Sequence, residues 1–301
     1  MPIVIPKDIP AYSKLLNENI FVMHDERAFS QDIRPLEIAI LNLMPTKIET
    51  ETQFMRLLSN SPLQVNITLI NTKTYKSKNT NQEYLDKFYK SFDDIKTQKF
   101  DGMIITGAPV ETMPFEDVAY WDELKKIFDF ASSNVTSTIY ICWGAQAALY
   151  YYYGINKTEL PEKLFGVFEH KKNNSLQEPL LKGIDDTFYI PHSRHTTVNV
   201  EDVEKIEDLI VISKTPQTGL SIAKSKDNSK IFLTGHMEYD RNTLKAEYER
   251  DLAKNLPIKA PINYFCDATN TNVDVKWTST ANLFYTNWLN YYVYQVTPYN
   301  I

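Results

Sequence analysis

The stretch that decides the fold is TIYICWGAQAAL, residues Thr138 to Leu149. Its β-branched and aromatic start favours a strand, whereas the residues that follow Cys142 favour a helix. A cysteine at such a strand-to-helix turn projects from the edge of a sheet, and the adjacent helix N-terminus favours its thiolate form. Gly144 allows the tight turn. Cys142 is therefore a candidate nucleophile, although a lone cysteine in an apolar strand is more commonly buried and inert.

Strands and helices alternate along the chain on both sides of this turn. Before it, apolar runs predict strands over residues 37–44, 65–70 and 102–106, and helix-forming runs predict helices over residues 50–58, 84–95 and 121–131. After it, strands are predicted over residues 187–190, 209–213, 220–223 and 230–234, and an exposed insertion over residues 168–184. This order predicts an α/β fold, a mostly parallel sheet flanked by helices. Ligands bind beyond the carboxyl ends of such strands, where Pro45, Gly107 and Cys142 fall.

Composition excludes several classes of function. The 301 residues carry a net charge of -6, and their lysines and arginines are dispersed, which excludes a surface that wraps nucleic acid. No apolar run approaches the length of a membrane span. Cys142 and Cys266 lack metal-ligand spacing and indicate a reducing compartment, by default the cytoplasm. We find no linker or repeat and expect a single domain over residues 1–301, with residues 1–34 as an N-terminal arm packed on the body or on a partner subunit.

A second polar segment, Gly235-His236-Met237-Glu238, follows the strand predicted over residues 230–234. Residues two apart on extended chain share a face, so Glu238 can hold the His236 ring in one tautomer. His236 can then draw a proton from a thiol or an alcohol. Cys142, His236 and Glu238 form a candidate nucleophile, base and orienting group, and the Trp143 N–H is a candidate oxyanion donor. Taken alone, a His-x-Glu pair is more often structural than catalytic.

Six segments spread over the whole chain carry a family resemblance. They are Asn42-Leu43-Met44-Pro45 with Lys47 and Glu51, Thr106-Gly107-Ala108-Pro109, Cys142-Trp143, Pro191-His192-Ser193-Arg194, Gly235-His236-Met237-Glu238-Tyr239-Asp240 and Thr286-Asn287-Trp288-Leu289-Asn290-Tyr291. Together and in this order they resemble the homoserine O-acyltransferases of the MetA type, which make O-succinyl- or O-acetylhomoserine on the way to methionine. The resemblance implies a fold like the class I glutamine amidotransferases (flavodoxin-like). It also implies a homodimer that uses L-homoserine and an acyl-CoA as substrates, with no metal or other cofactor.

The resemblance assigns roles to individual residues. It makes Cys142 the acyl-thioester nucleophile, His236 the proton acceptor and Glu238 its partner. Further positions match residues that contact substrate or line the site in the family, namely Lys163, Ser193, Arg250, Lys47 and Glu247. The guanidinium of Arg250 suits a carboxylate such as that of homoserine. Without the resemblance, the charged stretch around Arg250 would be interpreted as a solvated helix face.

Choice of the acyl donor is expected to depend on Glu111, with Ser193 as a second specificity position. In the family that the chain resembles, glycine at the position of Glu111 goes with succinyl-CoA and glutamate with acetyl-CoA. A glutamate fills the space for the far carboxylate of a succinyl group and sets a like charge against it. Acetyl-CoA is therefore the favoured donor. The alternative is a carboxylate exposed on a loop, near Glu116 and Asp117.

Three other functions stay open at this point: a homoserine O-succinyltransferase, a glutamine amidotransferase-type hydrolase with the same triad, and a non-catalytic module with a buried cysteine. True glutamine amidotransferases carry glycine two residues before the cysteine, where this chain has Tyr140. This departure weakens the case for glutaminase activity.

Overall fold

The computed structural model describes residues 35–74, 80–173 and 175–298 and, as backbone, the parallel strand pair β1 (Ile3–Val4) and β2 (Val22–Met23). An eight-stranded sheet forms the centre of the described chain. Its strands are β3 (Leu36–Leu41), β4 (Val65–Ile70), β5 (Tyr89–Lys90), β6 (Phe100–Ile105), β7 (Val135–Ile141), β10 (Leu209–Thr215), β11 (Gly219–Ser225) and β12 (Lys230–Leu233).

The order of the strands determines which strand ends lie side by side at one edge of this sheet. The order is β10-β11-β12-β7-β6-β3-β4-β5. The six strands from β12 to β5 are parallel, and only β10 and β11 at one edge pair in antiparallel fashion. The predicted mostly parallel sheet is confirmed. Because parallel strands end at one edge, the residues that follow β3, β6, β7 and β12 meet there.

Helices cover both faces of the sheet. Six α-helices, a 3₁₀ turn and a π-helix flank or connect its strands: α1 (Lys47–Ser59), α2 (Gln82–Phe88), α3 (Phe92–Ile95), α4 (Trp121–Asn134), α5 (Trp143–Tyr153), α8 (Thr278–Asn287), the 3₁₀ turn Pro179–Leu181 and the π-helix Trp288–Tyr294. α4 and α5 bury their apolar sides on one face. α1, α8 and the π-helix cover the other. Two more helices, α6 (Val200–Glu204) and α7 (Thr243–Ala253), lie in the second half of the chain.

A long hairpin stands beside the main sheet. Its strands are β8 (Lys157–Lys171) and β9 (Thr187–Val198), which pair in antiparallel fashion with an irregularity between Glu159 and Leu164. The sequence predicted only the first four residues of β9 and missed β8 altogether. The hairpin carries both Lys163 and Ser193 toward the polar edge of the sheet.

Two predicted elements are wrong. The helix expected over residues 84–95 is divided into α2 and α3 by β5, because Tyr89 turns its hydroxyl inward to Glu51 (2.5 Å between oxygens). The exposed insertion expected over residues 168–184 contains the end of β8, and its His170 is buried, with Nε2 2.7 Å from Ser221 Oγ. Leu180 in the same segment packs in the core.

The predicted arm, residues 1–34, lies outside the described residues apart from the backbone of β1 and β2. The single-domain organisation stays a prediction. No helix in the described part of the chain is long and apolar enough to cross a membrane.

Candidate active site

Cys142 occupies the turn between β7 and α5 with φ 49° and ψ -115°, a conformation that is rare for any residue with a side chain. The N–H groups of Ala145 and Gln146 donate to its carbonyl oxygen, each at 3.1 Å. The first N–H groups of a helix have no partner within the helix. The Trp143 N–H is one of them and follows Cys142 directly in the chain, so it stays a candidate oxyanion donor.

Two glycines allow the chain to close around this turn. A Cβ on Gly144 would lie 2.6 Å from the Thr106 carbonyl oxygen, so only glycine lets α5 start against the end of β6. A Cβ on Gly107 would lie 3.2 Å from Cys142 Cβ. The loop after β6 therefore approaches the thiol closely, and the segment Gly107-Ala108-Pro109 forms part of the same cavity wall.

His236 and Glu238 follow β12, the strand beside β7, and both side chains are buried. His236 Nδ1 lies 2.6 Å from Glu238 Oε1. Burial lowers the pKa of His236, but the charges of Glu238 and Cys142 and hydrogen bonds to both of these side chains raise it well above 6.5 overall. The imidazole is thus hydrogen-bonded to the carboxylate, and the Cys142 side chain acts on it from the same site, an arrangement suited to nucleophilic catalysis.

Cys142 and His236 open into a cavity of about 520 Å³ at the carboxyl edge of the sheet. The same cavity is lined by five of the other residues that the sequence singled out, namely Glu111, Lys163, Ser193, Glu247 and Arg250. Glu111 and Arg250, which are 139 positions apart in the chain, thereby line one cavity. No group of three or more metal-binding side chains occurs among the described residues.

Glu247 on α7 is the centre of the polar wall of this cavity. Its Oε2 accepts from Ser193 Oγ at 2.5 Å and lies 3.4 Å from Lys163 Nζ, and its Oε1 accepts from the Tyr239 hydroxyl at 2.9 Å. Lys163 also lies over the Phe165 ring, 4.2 Å from its centroid. These contacts hold one carboxylate and one ammonium group at the surface of the cavity.

Arg250 lies one helical turn after Glu247. Its Nε donates to Asp251 Oδ1 at 2.8 Å, and about half of its side chain is exposed. No partner within the described residues is found for its two terminal nitrogens, which are the pair that binds a carboxylate in a fork.

Lys47 is not brought into this cavity. Its ammonium group is buried and donates to the Asn42 carbonyl oxygen at 2.5 Å, and it lies 5.4 Å from the centroid of the Tyr89 ring. Burial lowers the pKa of Lys47 to about 8, although the negative charge of Glu51 acts to raise it. Lys47 therefore holds the start of the loop after β3 through the Asn42 carbonyl oxygen.

Glu111 lines the same cavity and is held in place by hydrogen bonds. Its Oε2 accepts from the His195 N–H at 2.7 Å and lies 3.5 Å from Thr196 Oγ1. Thr196 Oγ1 in turn donates to Gln146 on α5 at 2.8 Å. The carboxylate is thus tied to β9 and, through one side chain, to the helix that starts at the thiol.

Arg194 places a buried positive charge next to this network. Nη1 donates to the Thr196 carbonyl oxygen at 2.6 Å and Nη2 to the Thr218 carbonyl oxygen. Burial lowers the pKa of Arg194, whereas the charges of Cys142 and Glu111 act in the opposite direction. Arg194, Thr196 and Gln146 received no role from the sequence, because their effect depends on which strands become neighbours.

Together, the fold and the site define the class of protein: an α/β protein with the class I glutamine amidotransferase fold and a Cys-His-Glu series at its sheet edge. Its fold resembles a glutamine amidotransferase from Methylobacillus flagellatus (TM-score 0.52, 13% identity, 86% of this chain and 95% of that one). A glutamine amidotransferase from Thermotoga maritima is similar as well (TM-score 0.54, 10% identity, 85% and 97%).

Comparison of sequences is more specific. The chain belongs to the homoserine O-succinyltransferase family, whose model matches residues 2–299. Relatives named homoserine O-acetyltransferase are 58% identical in Acetivibrio thermocellus (100% of this chain, 99% of the relative) and 56% identical in Shouchella clausii (100% and 97%). A third, from Clostridium tetani, is 58% identical (100% and 99%). The family resemblance seen in the sequence is confirmed.

Proposed function

We propose that this protein transfers the acetyl group of acetyl-CoA to the side-chain hydroxyl of L-homoserine, through a thioester on Cys142, in methionine biosynthesis. The observation that carries this proposal is one cavity that is lined by Cys142, by His236 with its hydrogen bond to Glu238, and by Glu111. The names of the relatives support the acceptor and the acetyl group, and the geometry supports the route.

In the first step, the Cys142 thiolate attacks the thioester carbonyl carbon of acetyl-CoA. The developing oxyanion is placed beside the Trp143 N–H at the start of α5. When the carbon–sulfur bond of the donor breaks, the leaving CoA thiolate takes the proton from the His236 imidazolium. The products are free CoA and an acetyl-enzyme with a neutral imidazole.

In the second step, the homoserine hydroxyl attacks the acetyl carbonyl carbon on Cys142. His236 removes the hydroxyl proton as the new carbon–oxygen bond forms, and Glu238 stabilises the resulting imidazolium. The carbon–sulfur bond then breaks and restores the Cys142 thiolate with O-acetylhomoserine. The cycle is balanced in protons and needs neither a metal nor another cofactor.

For the acceptor, we assign the polar wall of the cavity. The terminal nitrogens of Arg250 bind the homoserine carboxylate, and Glu247 binds its ammonium group. Lys163 and Ser193 hold Glu247 in place by direct contacts. Cys142 and His236 line the same cavity, so an acceptor bound there shares it with the thiol and the base.

For the donor, Glu111 favours acetyl over succinyl. The family carries the name of the succinyl reaction, whereas the relatives named above carry the name of the acetyl reaction. A carboxylate held at the cavity wall by the His195 N–H opposes the free carboxylate of a succinyl group. Acetyl-CoA brings no such charge.

One experiment tests donor, acceptor and intermediate. Initial rates are measured with acetyl-CoA or succinyl-CoA and homoserine, and intact mass is recorded after mixing with acetyl-CoA alone. We expect faster turnover with acetyl-CoA and an acetyl adduct on Cys142. Full activity in Cys142→Ala would overturn the thioester route. Faster turnover with succinyl-CoA would overturn the assignment of the donor. Ammonia release from glutamine would overturn the proposal that the protein is an acyltransferase.

We also propose a cytoplasmic homodimer. Support for the compartment comes from the two cysteines, Cys142 and Cys266, which are both free thiols. The dimer rests on the resemblance to the family. Sedimentation equilibrium of the purified chain, whose monomer mass is 34.9 kDa, tests the dimer directly.

A further inference from the structure

Tyr239 contacts both the proposed base, His236, and the proposed acceptor-binding residue, Glu247, although the mechanism above gives it no role. Its ring stacks on the imidazole of His236, with centroids 4.2 Å apart and planes inclined by 15°. Its hydroxyl donates to Glu247 Oε1 at 2.9 Å. One buried side chain therefore contacts the proposed base and the proposed acceptor-binding carboxylate at the same time.

Its surroundings keep this side chain in one position. The carbonyl oxygen of Tyr239 accepts from Trp277 Nε1 at 2.7 Å, and the Trp277 side chain is buried. Burial and the charges of Glu247 and Glu238 raise the pKa of Tyr239 well above 10, so its hydroxyl stays protonated and acts as a donor. An aromatic face against an imidazolium also stabilises its charge.

We propose that Tyr239 is a positioning residue that couples the imidazole of His236 to the acceptor-binding carboxylate of Glu247. The ring keeps the imidazole against the Cys142 thiol, and the hydroxyl keeps Glu247 turned toward the acceptor. The part that concerns Glu247 rests on the proposed function. The part that concerns His236 rests on the stack alone.

Two substitutions separate the ring from the hydroxyl. Tyr239→Phe keeps the stack and removes the bond to Glu247, so we expect the KM for homoserine to rise about tenfold. The rate of adduct formation with acetyl-CoA alone should stay within about twofold of the wild-type rate. Tyr239→Leu also removes the stack, and we expect adduct formation to slow by about a hundredfold, because the imidazole is no longer held in place.

A matched control is available on α5. The Tyr151 hydroxyl donates to Asp129 Oδ1 at 2.7 Å, outside the cavity, so Tyr151→Phe removes the same kind of bond and should change neither parameter. A double-mutant cycle of Tyr239→Phe with Glu247→Gln tests the coupling itself. If the rise in KM has the same size in the Glu247→Gln background, the coupling is refuted.

Alkylation of Cys142 by iodoacetamide provides a measurement that needs no acyl donor. Slower alkylation in Tyr239→Leu than in wild type supports the stack, and an equal rate overturns that part of the proposal. An unchanged KM in Tyr239→Phe overturns the Glu247 part, and does so even if Tyr239→Leu fails to fold. Absence of any transfer to homoserine by the wild-type protein would refute the proposed function instead, and alkylation would still test the stack.

Discussion

Replacing Glu111 tests the donor assignment most directly. Glu111→Gly removes both the volume and the charge that face a succinyl group, and Glu111→Gln removes the charge only. The amide oxygen of glutamine can still accept from the His195 N–H that now holds the carboxylate at 2.7 Å. The pair of variants therefore separates electrostatic repulsion from filling of space.

The magnitude follows from the partly exposed position of Glu111. Two carboxylates about 4 Å apart repel each other by about 4 kcal/mol at an effective dielectric constant of 20. Screening by solvent at the open side of the cavity reduces this to about 2 kcal/mol, which corresponds to a factor of about thirty in relative rate. We expect Glu111→Gln to shift the ratio of kcat/KM for the two donors by this factor toward succinyl-CoA, and Glu111→Gly to shift it further.

The assay is a comparison of initial rates with each donor at fixed homoserine. Glu116→Gln is the control, because Glu116 is an exposed carboxylate five residues on that contacts Tyr150 and does not line the cavity. An unchanged donor ratio in Glu111→Gly would refute the reasoning. A shift in Glu111→Gly without one in Glu111→Gln would assign the selectivity to volume instead of charge.

Three further predictions concern the turn at Cys142, a buried ion pair outside the cavity and the protonation of His236. Gly144→Ala should slow adduct formation with acetyl-CoA by about a hundredfold. The reason is that the new Cβ would lie 2.6 Å from the Thr106 carbonyl oxygen and displace α5. A wild-type rate of adduct formation, measured by mass spectrometry, would contradict this prediction. Lys224→Met should lower the free energy of unfolding, measured in urea, by about 3–5 kcal/mol. The reason is that Lys224 Nζ lies 2.8 Å from Glu178 Oε2 and both side chains are buried. A loss below about 1 kcal/mol would show that this pair is dispensable. The raised pKa of His236 predicts that its contribution to stability is complete below about pH 6.5 and is lost as the pH rises through that raised value. The difference in Tm between wild type and Glu238→Gln should accordingly shrink at higher pH, and a difference that grows would contradict the assignment.

Much of the fold could be predicted because its signals are local. The change from a β-branched run to helix formers around Cys142 predicted the end of β7 and the start of α5 within one residue. The parallel sheet followed from alternation of elements, and its carboxyl edge from the rule for such sheets. The family resemblance then predicted that Glu247 and Arg250 belong to the site. From composition alone, both residues would have been assigned to a solvated helix face.

The failures share one cause. A helix through Tyr89 agrees with local propensity, but the tyrosine hydroxyl reaches Glu51, 38 residues earlier, and the backbone forms β5 there. The polar residues after Phe168 resemble a loop, yet His170 belongs to β8 and is buried, with its ring hydrogen-bonded to Ser221 on β11. In both cases a distant partner overrides the preference of the segment.

The sequence by itself determined the alternation that gives a mostly parallel sheet, the turn that presents Cys142 and the spacing of His236 and Glu238. These properties depend on neighbours along the chain. Only the tertiary structure decided that Lys47 lies outside the cavity and that Tyr239 joins the imidazole to Glu247. The physical reason is that contacts between side chains on different elements depend on the order of strands in the sheet and on the direction in which each side chain points, and neither is encoded in a local pattern.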